Sequence, residues 1–427
     1  KKLFTVNLLI YAGLALVALL LLETVGLWFV CTRLNIPAER FDAVIWIYQF
    51  SVLTFIMTFI ASPFMALIIA HEEMQLYAYV SILEVVLKLT VVFLLIILPW
   101  DKLEIYGVLL FAVSVIVDIV YLWICIMRYA ECQFRKFYSD KELFREITGF
   151  TGWTLFGQVT TVTRNQAVTI LLNQVFSPVV VASRAIATNV ANQINVFSNN
   201  FNVGLYPPII KSYASDDKPG MFALVFRGSR ITFFLMWVFA LPLFLEMEPV
   251  LRIWLKNPPP DAVLFTRLAL IEVLISSISL PLTTAARAPG RMKAYELTLG
   301  TIQILIFFVS WIVLALGGSA SSVYIVAILA NALMFFVRLV LMKNMIELPV
   351  RSFLAEVLLP VCCVGLISSV PSFILRSVLP SGLLYSALSI CFAVFSSCMC
   401  MYYIGIKKNE RETIIKLIKS KLAGLAK

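Results

Sequence analysis

The sequence predicts an all-α polytopic membrane protein. Of its 427 residues, 61% are hydrophobic and only 14% are charged, and the mean hydropathy is +0.95. Soluble globular chains carry about 25% charged residues. The apolar residues form long uninterrupted runs rather than the alternating ten-residue segments of a membrane β-barrel, so the spanning elements are predicted to be helices.

Hydropathy predicts twelve segments long enough to cross about 30 Å of hydrocarbon. In chain order they are Leu3–Val30, Ala43–Ala70, Leu76–Leu98, Ile105–Met127, Thr151–Val175, Pro178–Leu205, Ile231–Leu245, Val263–Thr284, Tyr295–Leu316, Val323–Met342, Phe353–Leu375 and Leu383–Ile404.

The basic residues predict the orientation of these segments, because cytoplasmic loops are enriched in Lys and Arg. With the amino terminus and every second loop on one side, that side holds 24 of the 34 basic residues and the opposite side holds six. Both termini are therefore expected in the cytoplasm. This distribution also accounts for the net charge of +10 without nucleic acid as a partner.

The longest basic connection, Arg128–Gly149, separates four helices from eight and predicts a boundary between two helical lobes. We expect an amino-terminal lobe at 1–127, an amphipathic cytoplasmic linker at 128–149, a second lobe at 150–344, two further spans at 345–406 and a basic tail at 407–427. The tail has the pattern of an interfacial amphipathic helix. A solvated, frayed tail is the alternative.

Most polar side chains at membrane depth lie on the fifth and sixth predicted helices. At about 100° per residue, six of them share a stripe about 80° wide on the sixth helix. Polar residues inside a bilayer are costly unless they face water or a partner, so this stripe is expected to line a wet groove. Its members are Arg184, Thr188, Asn192, Asn195, Asn199 and Asn202.

The fifth helix has a similar polar face, with Arg164 at its edge beside Asn165. Arg164 lies about 13 residues from either end of its predicted helix, so its side chain does not easily reach an interface. Two interpretations stay open for this residue. It binds a substrate in the groove, or it is held by main-chain carbonyls or a neighbouring carboxylate for structural reasons.

Several other charged residues fall within predicted spans. Glu84 and Lys88 are four residues apart and can pair on one helix face, and Asp118, Glu272 and Glu296 are single carboxylates. Each could contribute to proton or sodium coupling, for which Glu84, Lys88 and Asp118 are the selected candidates. Structural pairing with a basic neighbour is the alternative.

The sequence offers little for catalysis, cofactors or metals. It has no Walker A loop, a single histidine, and eight cysteines scattered mostly through apolar segments. No metal site, no cofactor and no enzymatic activity are therefore expected, and a transporter is the function class that remains.

Scattered motifs resemble those of bacterial polysaccharide flippases of the Wzx type, within the MOP exporter superfamily, which includes the MATE transporters. The resemblance covers most of the chain and is densest at Phe150–Tyr213. Its residues are Phe150–Gly157, Asn165–Gln166, Leu171–Asn173, Ser183–Ala187, Asn200–Phe201, Pro208–Tyr213, Trp254–Lys256, Phe265–Leu268, Pro281–Ala286 and Gly290–Lys293.

This resemblance implies a MATE-like bundle of two six-helix lobes with two further helices, fourteen in a full protein. Since four helices precede the linker, we expect that the first two helices of the full protein are missing from this chain. The family moves lipid-linked oligosaccharide, usually on undecaprenyl pyrophosphate, across the bacterial inner membrane by alternating access. Its products serve surface polysaccharides such as the O-antigen of lipopolysaccharide.

Within that framework, Arg164 and Arg184 are the predicted ligands of the pyrophosphate head group, because arginine offers permanent charge and bidentate phosphate contacts. Asn165, Asn192, Asn195 and Asn199 are predicted to line the groove, where amides suit sugar hydroxyls. The apolar tail would stay among the membrane lipids. The energy source stays open, with a proton or sodium gradient as the candidates.

Three alternatives remain. A multidrug or cation antiporter of the same MATE-type fold would need buried carboxylates near an aromatic pocket. A membrane enzyme of polysaccharide assembly, such as a polymerase or an acyltransferase, would need large outer loops or an acid/base pair. A non-transporting scaffold would have no need of a continuous polar stripe.

Overall fold

The computed structural model describes residues 2–33, 41–99, 101–132, 141–380, 382–407 and 410–412. Within these ranges the chain folds into twelve long helices, one for each predicted span. They are α1 (Lys2–Thr32), α2 (Phe41–Ala70), α3 (Met74–Ile97), α4 (Lys102–Arg128), α5 (Lys141–Val175), α6 (Pro178–Ala214), α7 (Lys218–Leu255), α8 (Ala262–Arg287), α9 (Lys293–Ala315), α10 (Ser322–Ile346), α11 (Val350–Val378) and α12 (Leu383–Gly405).

Ten of these helices are long and apolar enough to cross a membrane, so the protein is a multi-pass membrane protein. The other two, α5 and α6, are equally long but carry the polar side chains that lower their hydropathy. The helices expose many large apolar side chains, as expected where lipid replaces water around them. Ile96 and Ile97 at the end of α3, for example, are 73% and 76% exposed.

Three helices extend far beyond their predicted spans. α5 begins at Lys141, inside the predicted linker, and α6 continues past Leu205 to Ala214. α7 runs from Lys218 to Leu255, with Asp217 capping its start through the Gly220 amide. Hydropathy detects only the part of a helix that lies within hydrocarbon, so it did not predict these polar extensions. The predicted helix of the tail lies almost wholly outside the described residues.

The chain forms two compact units, residues 1–151 and 152–427. In the first unit, α2 packs against α1 and α4, and α3 packs against α4. Its core includes Phe4, Phe64, Ile68, Val117 and Cys125.

In the second unit, α6 packs against both α7 and α8, while α10 packs against α8 and α9. α11 and α12 pack on each other and on α7. Trp237 of α7 donates a hydrogen bond to Ser368 of α11 over 2.9 Å, which joins these helices through polar atoms in an apolar surrounding.

α7 is broken at Glu246, whose φ of −108° and ψ of 26° lie outside the helical region. Pro242 and Pro249 flank this break, and proline disrupts helix hydrogen bonding. The Glu246 carboxylate is fully buried, and the Arg376 guanidinium of α11 lies 2.7 Å from its Oε1 atom. The carboxylate has no hydrogen bond to the described residues, so this charge contact is what compensates its burial.

We therefore expect Arg376→Ala to lower the free energy of unfolding by about 3 kcal/mol, because it leaves Glu246 as an uncompensated buried charge. Thermal unfolding in detergent micelles measures the change. Arg252→Ala is the matched control, because Arg252 pairs with Glu248 on the same helix with both side chains more than half exposed, and such pairs contribute little.

The double variant Arg376→Ala with Glu246→Gln is expected to recover part of the loss, because a neutral amide costs less to bury than a carboxylate. Equal destabilisation by Arg376→Ala and Arg252→Ala would contradict this role of the Glu246–Arg376 contact.

Candidate functional site

The candidate site begins at the tight turn between α5 and α6. α5 ends at Val175, and Pro178 occupies the first turn of α6, where a missing amide hydrogen costs nothing. A two-residue connection, Phe176 and Ser177, joins the two helices. Thr169 and Arg184 lie at similar distances from this turn on opposite sides, and Arg184 Nε donates to Thr169 Oγ1 over 3.1 Å.

Arg164 of α5 pairs with a carboxylate of α8. Its Nη1 atom lies 3.1 Å from Glu272 Oε1, and the two side chains are only 10% and 20% exposed. The second terminal nitrogen, Nη2, donates to Asn165 Oδ1 over 2.8 Å. The structure thus gives Arg164 a neighbouring carboxylate as partner, and its role as a substrate ligand stays a prediction.

Glu272 is itself held by α10. Asn331 Nδ2 donates to the same Oε1 atom over 3.1 Å, and also to the main-chain carbonyl of Ala327 over 2.9 Å. Ser276, one turn beyond Glu272, donates to the main-chain carbonyl of Glu272 over 3.0 Å. These contacts fix the carboxylate opposite Arg164 and connect α5, α8 and α10 through polar groups.

Arg184 has a different environment. Its guanidinium lies over the ring of Tyr324 of α10, with 5.4 Å from Cζ to the ring centroid, and Tyr324 is almost fully buried. Thr169 donates its own hydroxyl hydrogen to the Asn165 carbonyl, so its oxygen is available to accept from Arg184. The ion pairs recorded among the described residues do not include Arg184.

These side chains form one continuous set, which we call the arginine network. It carries two guanidinium charges and one carboxylate charge, so it is cationic by one unit, and the unbalanced charge is that of Arg184. The network comprises Arg164, Asn165, Thr169, Arg184, Glu272, Tyr324 and Asn331.

The amide stripe of α6 continues from Arg184 along one face. Asn192 and Asn199 are exposed and Asn195 is half-buried, while Ile194 and Ser198 beside them are buried against the bundle. No hydrogen bond from the three asparagine side chains to a described residue is present. Such amides at membrane depth need water or a polar ligand.

The far end of the stripe is used for packing. Asn202 donates from Nδ2 to the Thr284 hydroxyl of α8 over 3.2 Å. Asn202 therefore joins α6 to α8 and is set apart from the open amides at Asn192, Asn195 and Asn199.

The predicted coupling residues lie in the first unit. Lys88 Nζ and Glu84 Oε1 are 2.6 Å apart, with the two side chains 55% and 38% exposed. Asp118 accepts a hydrogen bond from Ser114 over 3.3 Å, and Ser114 lies 3.2 Å from the Thr58 hydroxyl. All five residues line one cavity of 430 Å³.

Sequence reasoning identified most of the arginine network but not how it is joined. It named Glu272 only as a single carboxylate at depth and did not pair it with Arg164, which is 108 positions away. It missed Asn331 and Tyr324, although their spacing of seven residues on α10 puts them on one helix face. In the described part of the chain, no group of three His, Cys, Asp or Glu side chains could hold a metal ion.

The open amides yield a direct test, because thiols react with maleimides as thiolates, which form in water rather than in lipid. We expect Asn192→Cys and Asn199→Cys, in a variant whose eight native cysteines are replaced by alanine, to be labelled rapidly by a charged maleimide. Val196→Cys is the matched control, because Val196 is 46% exposed on the same helix and lies off the stripe.

Labelling is measured as the mass shift of the protein in membrane vesicles over time. We expect Val196→Cys to react at least tenfold more slowly than the stripe positions. Similar slow rates at all three positions would mean that the stripe faces lipid or protein rather than water.

Comparison with known proteins supports the same fold. Residues 2–212, close to half of the chain, match the family described as "Polysaccharide biosynthesis protein". A search of curated protein sequences found no match.

Among solved structures, the Vibrio cholerae MATE transporter VcmN is similar over most of its length. Its bent form matches with a TM-score of 0.62 at 16% identity, covering 84% of this chain and 81% of that one. The structure of a VcmN mutant matches with the same TM-score and identity, covering 81% and 78%. At this identity the likeness concerns the fold. The predicted resemblance is confirmed at this level: residues 2–212 match the polysaccharide biosynthesis protein family, and the fold is similar to that of a MATE transporter.

Proposed function

We propose that the protein is a flippase that moves lipid-linked oligosaccharide of the undecaprenyl-pyrophosphate type across the bacterial inner membrane by alternating access. Both termini would lie in the cytoplasm, and the product would enter surface polysaccharide synthesis, such as that of an O-antigen. The family match and the MATE-like fold support a membrane exporter rather than an enzyme. The polar side chains at membrane depth support the class of substrate.

The observation that carries the proposal is the cationic arginine network followed by open amides. Arg184 is cationic, half-buried and free of any recorded carboxylate partner among the described residues, while Asn192, Asn195 and Asn199 extend along the same face. A diphosphate needs strong donors at the point where it leaves water, and a glycan needs donors and acceptors along its path. Arginine and asparagine meet these two needs.

Arg184 is the proposed primary ligand of the head group. Its Nε atom donates to Thr169 and its planar face lies over Tyr324, and its terminal nitrogens are the donors proposed to bind the anion. Fixing one edge and one face of a guanidinium orients the remaining donors and lowers the entropy lost on binding.

Arg164 is the proposed second ligand, available only when Glu272 releases it. A diphosphate can displace the carboxylate, or a proton can neutralise it, and either event frees a guanidinium that is 10% exposed in the present state. Glu272 thereby joins Glu84, Lys88 and Asp118 as a candidate for coupling transport to a proton or sodium gradient. Competition between substrate and carboxylate for one arginine would connect binding to a change of state.

A MATE-type multidrug or cation antiporter is the second candidate function. The 430 Å³ cavity of the first unit favours it, because this cavity holds Glu84 and Asp118 beside the aromatic rings of Phe55 and Tyr121. Carboxylates near aromatic rings suit organic cations. Lys88 offsets one of the two negative charges, however, whereas the second unit presents a net positive charge at membrane depth.

The decisive variants remove the charge of Arg184. We expect Arg184→Gln to reduce the initial rate of lipid-linked oligosaccharide arrival in the outer leaflet of proteoliposomes by roughly tenfold or more, because a charge-assisted hydrogen bond contributes about 1.5–3 kcal/mol. Arg184→Lys should keep intermediate activity, since it retains the charge but loses the planar donors.

Arg291→Gln is the matched control, because Arg291 is an exposed arginine outside the arginine network. Flipping by Arg184→Gln at the rate of Arg291→Gln would contradict the role of Arg184. A wild-type protein that moves organic cations but no lipid would establish the antiporter instead.

A further inference from the structure

Two of the motifs that resemble the flippases meet in the structure, away from the arginine network. Trp153 belongs to the motif at the start of the membrane part of α5, and Lys293 to the motif that opens α9. Lys293 Nζ lies over the Trp153 ring, 5.4 Å from the centroid. The side chain of Glu296, one turn further along α9, lies directly against Gly157 of α5, where any Cβ atom would collide with its carboxylate.

Two arginines lie on α8 and α10, the helices before and after α9. Arg287 ends α8, one turn beyond Thr283, and Arg338 lies on α10. Arg338 is held through Nε by the hydroxyl of the buried Tyr295 over 2.8 Å. That hydroxyl lies 3.1 Å from the one of Thr283, so helices α8, α9 and α10 share this contact.

The donors of these arginines are not fully used. The Nε atom of Arg287 is buried and has no hydrogen-bond partner among the described residues. The ion pairs recorded in the described ranges include neither Arg287 nor Arg338. Both side chains are half-buried. Together with the single carboxylate of Glu296, these arginines and Lys293 leave an excess of two positive charges.

Buried or half-buried donors without partners are costly, so this excess favours an anionic ligand. Two guanidiniums and an ammonium match a diphosphate in charge and in number of donors. We call Arg287, Lys293 and Arg338 the basic cluster.

Helices α5 and α8 both run from the surroundings of the basic cluster to the arginine network. Trp153, Gly157 and Arg164 are spaced by four and seven residues, which places them on the same face of α5. Along α8, Arg287 follows Glu272 by fifteen residues, or roughly 22 Å at 1.5 Å per residue. A head group bound at the cluster would therefore face the groove that leads to Arg164 and Arg184.

We propose that the basic cluster is a docking site for the diphosphate of the lipid-linked substrate, occupied on the cytoplasmic side before the head group reaches Arg184. This site rests on the proposed flippase function and on its cytoplasmic orientation. In this proposal Glu296 competes with the phosphate groups for the basic side chains.

The test measures binding of geranylgeranyl diphosphate to the full chain in nanodiscs of neutral lipid. The Arg184→Gln background removes the primary deeper ligand, and Arg164 stays paired with Glu272, so the measurement reports mainly the docking site. In this background, Arg287→Gln with Arg338→Gln is expected to raise the Kd at least tenfold. The matched control is Lys343→Gln with Arg351→Gln, which removes two exposed basic side chains near the same helix ends.

A second variant keeps the test informative if the double variant does not fold. Glu296→Gln keeps the size of the side chain and removes its competition, so it is expected to lower the Kd about threefold or more. If the arginine variant and its control bind equally, or if Glu296→Gln weakens binding, the docking site is refuted.

Two competitors distinguish the sources of phosphate. Phosphatidylglycerol added to the nanodiscs, and free inorganic pyrophosphate, should each displace the diphosphate lipid at least tenfold less effectively than unlabelled geranylgeranyl diphosphate does. Displacement by phosphatidylglycerol at equal concentration would make the cluster a general anionic-lipid site, and equal binding of free pyrophosphate would rule out a lipid-specific role.

The outcome for the docking site is separable from the outcome for the flippase function. Loss of binding at the docking site with wild-type flipping intact supports both proposals. Unchanged binding with Arg184-dependent flipping overturns only the docking site. Wild-type protein without any lipid flipping overturns the flippase function itself.

Discussion

The pairing of Arg164 with Glu272 is the interaction on which the second unit depends. A charged side chain far from both ends of a membrane helix needs a counter-charge or water. Glu272 supplies the counter-charge over 3.1 Å, and Asn331 completes the hydrogen bonding of the carboxylate. The pair fixes α5 against α8 and α10, and it decides which of the two arginines carries free charge. That residue is Arg184.

The same physical solution occurs at two places in this unit. Glu246 meets Arg376 where α7 is broken, and Glu272 meets Arg164 in the arginine network. The first pair joins helices at a fully buried carboxylate. The second stands beside partly exposed polar groups, where we propose that an anion competes for the arginine.

Much of this arrangement followed from the sequence. Hydropathy located all twelve helices, because hydrocarbon imposes length and composition on each span. The periodicity of α6 placed Arg184 and the open amides on one face, since side chains three and four residues apart share a helix side. The extensions of α5, α6 and α7 were missed, because the thickness of the hydrocarbon does not constrain the length of a helix outside it.

The partners of the arginines could not be obtained in the same way. Arg164 and Glu272 belong to different helices, and a helical wheel contains no information about which face of one helix meets which face of another. Asn331 and Tyr324 lie seven residues apart on one face of α10, but this spacing does not say which helix that face meets. Gly157 is similar, since its role becomes visible only when Glu296 is seen against it. The sequence thus predicts which residues share a helix face, whereas the structure is needed to show which helices contact each other.

The central claim is that the site at membrane depth selects an anionic head group. The most direct test compares two lipids with the same geranylgeranyl chain, one bearing a diphosphate and the other a trimethylammonium group, for binding to the wild-type protein in neutral nanodiscs. We expect the diphosphate lipid to bind at least tenfold more tightly, and the preference to shrink as salt is raised. Equal affinity for the two lipids, or tighter binding of the ammonium lipid, would contradict this account.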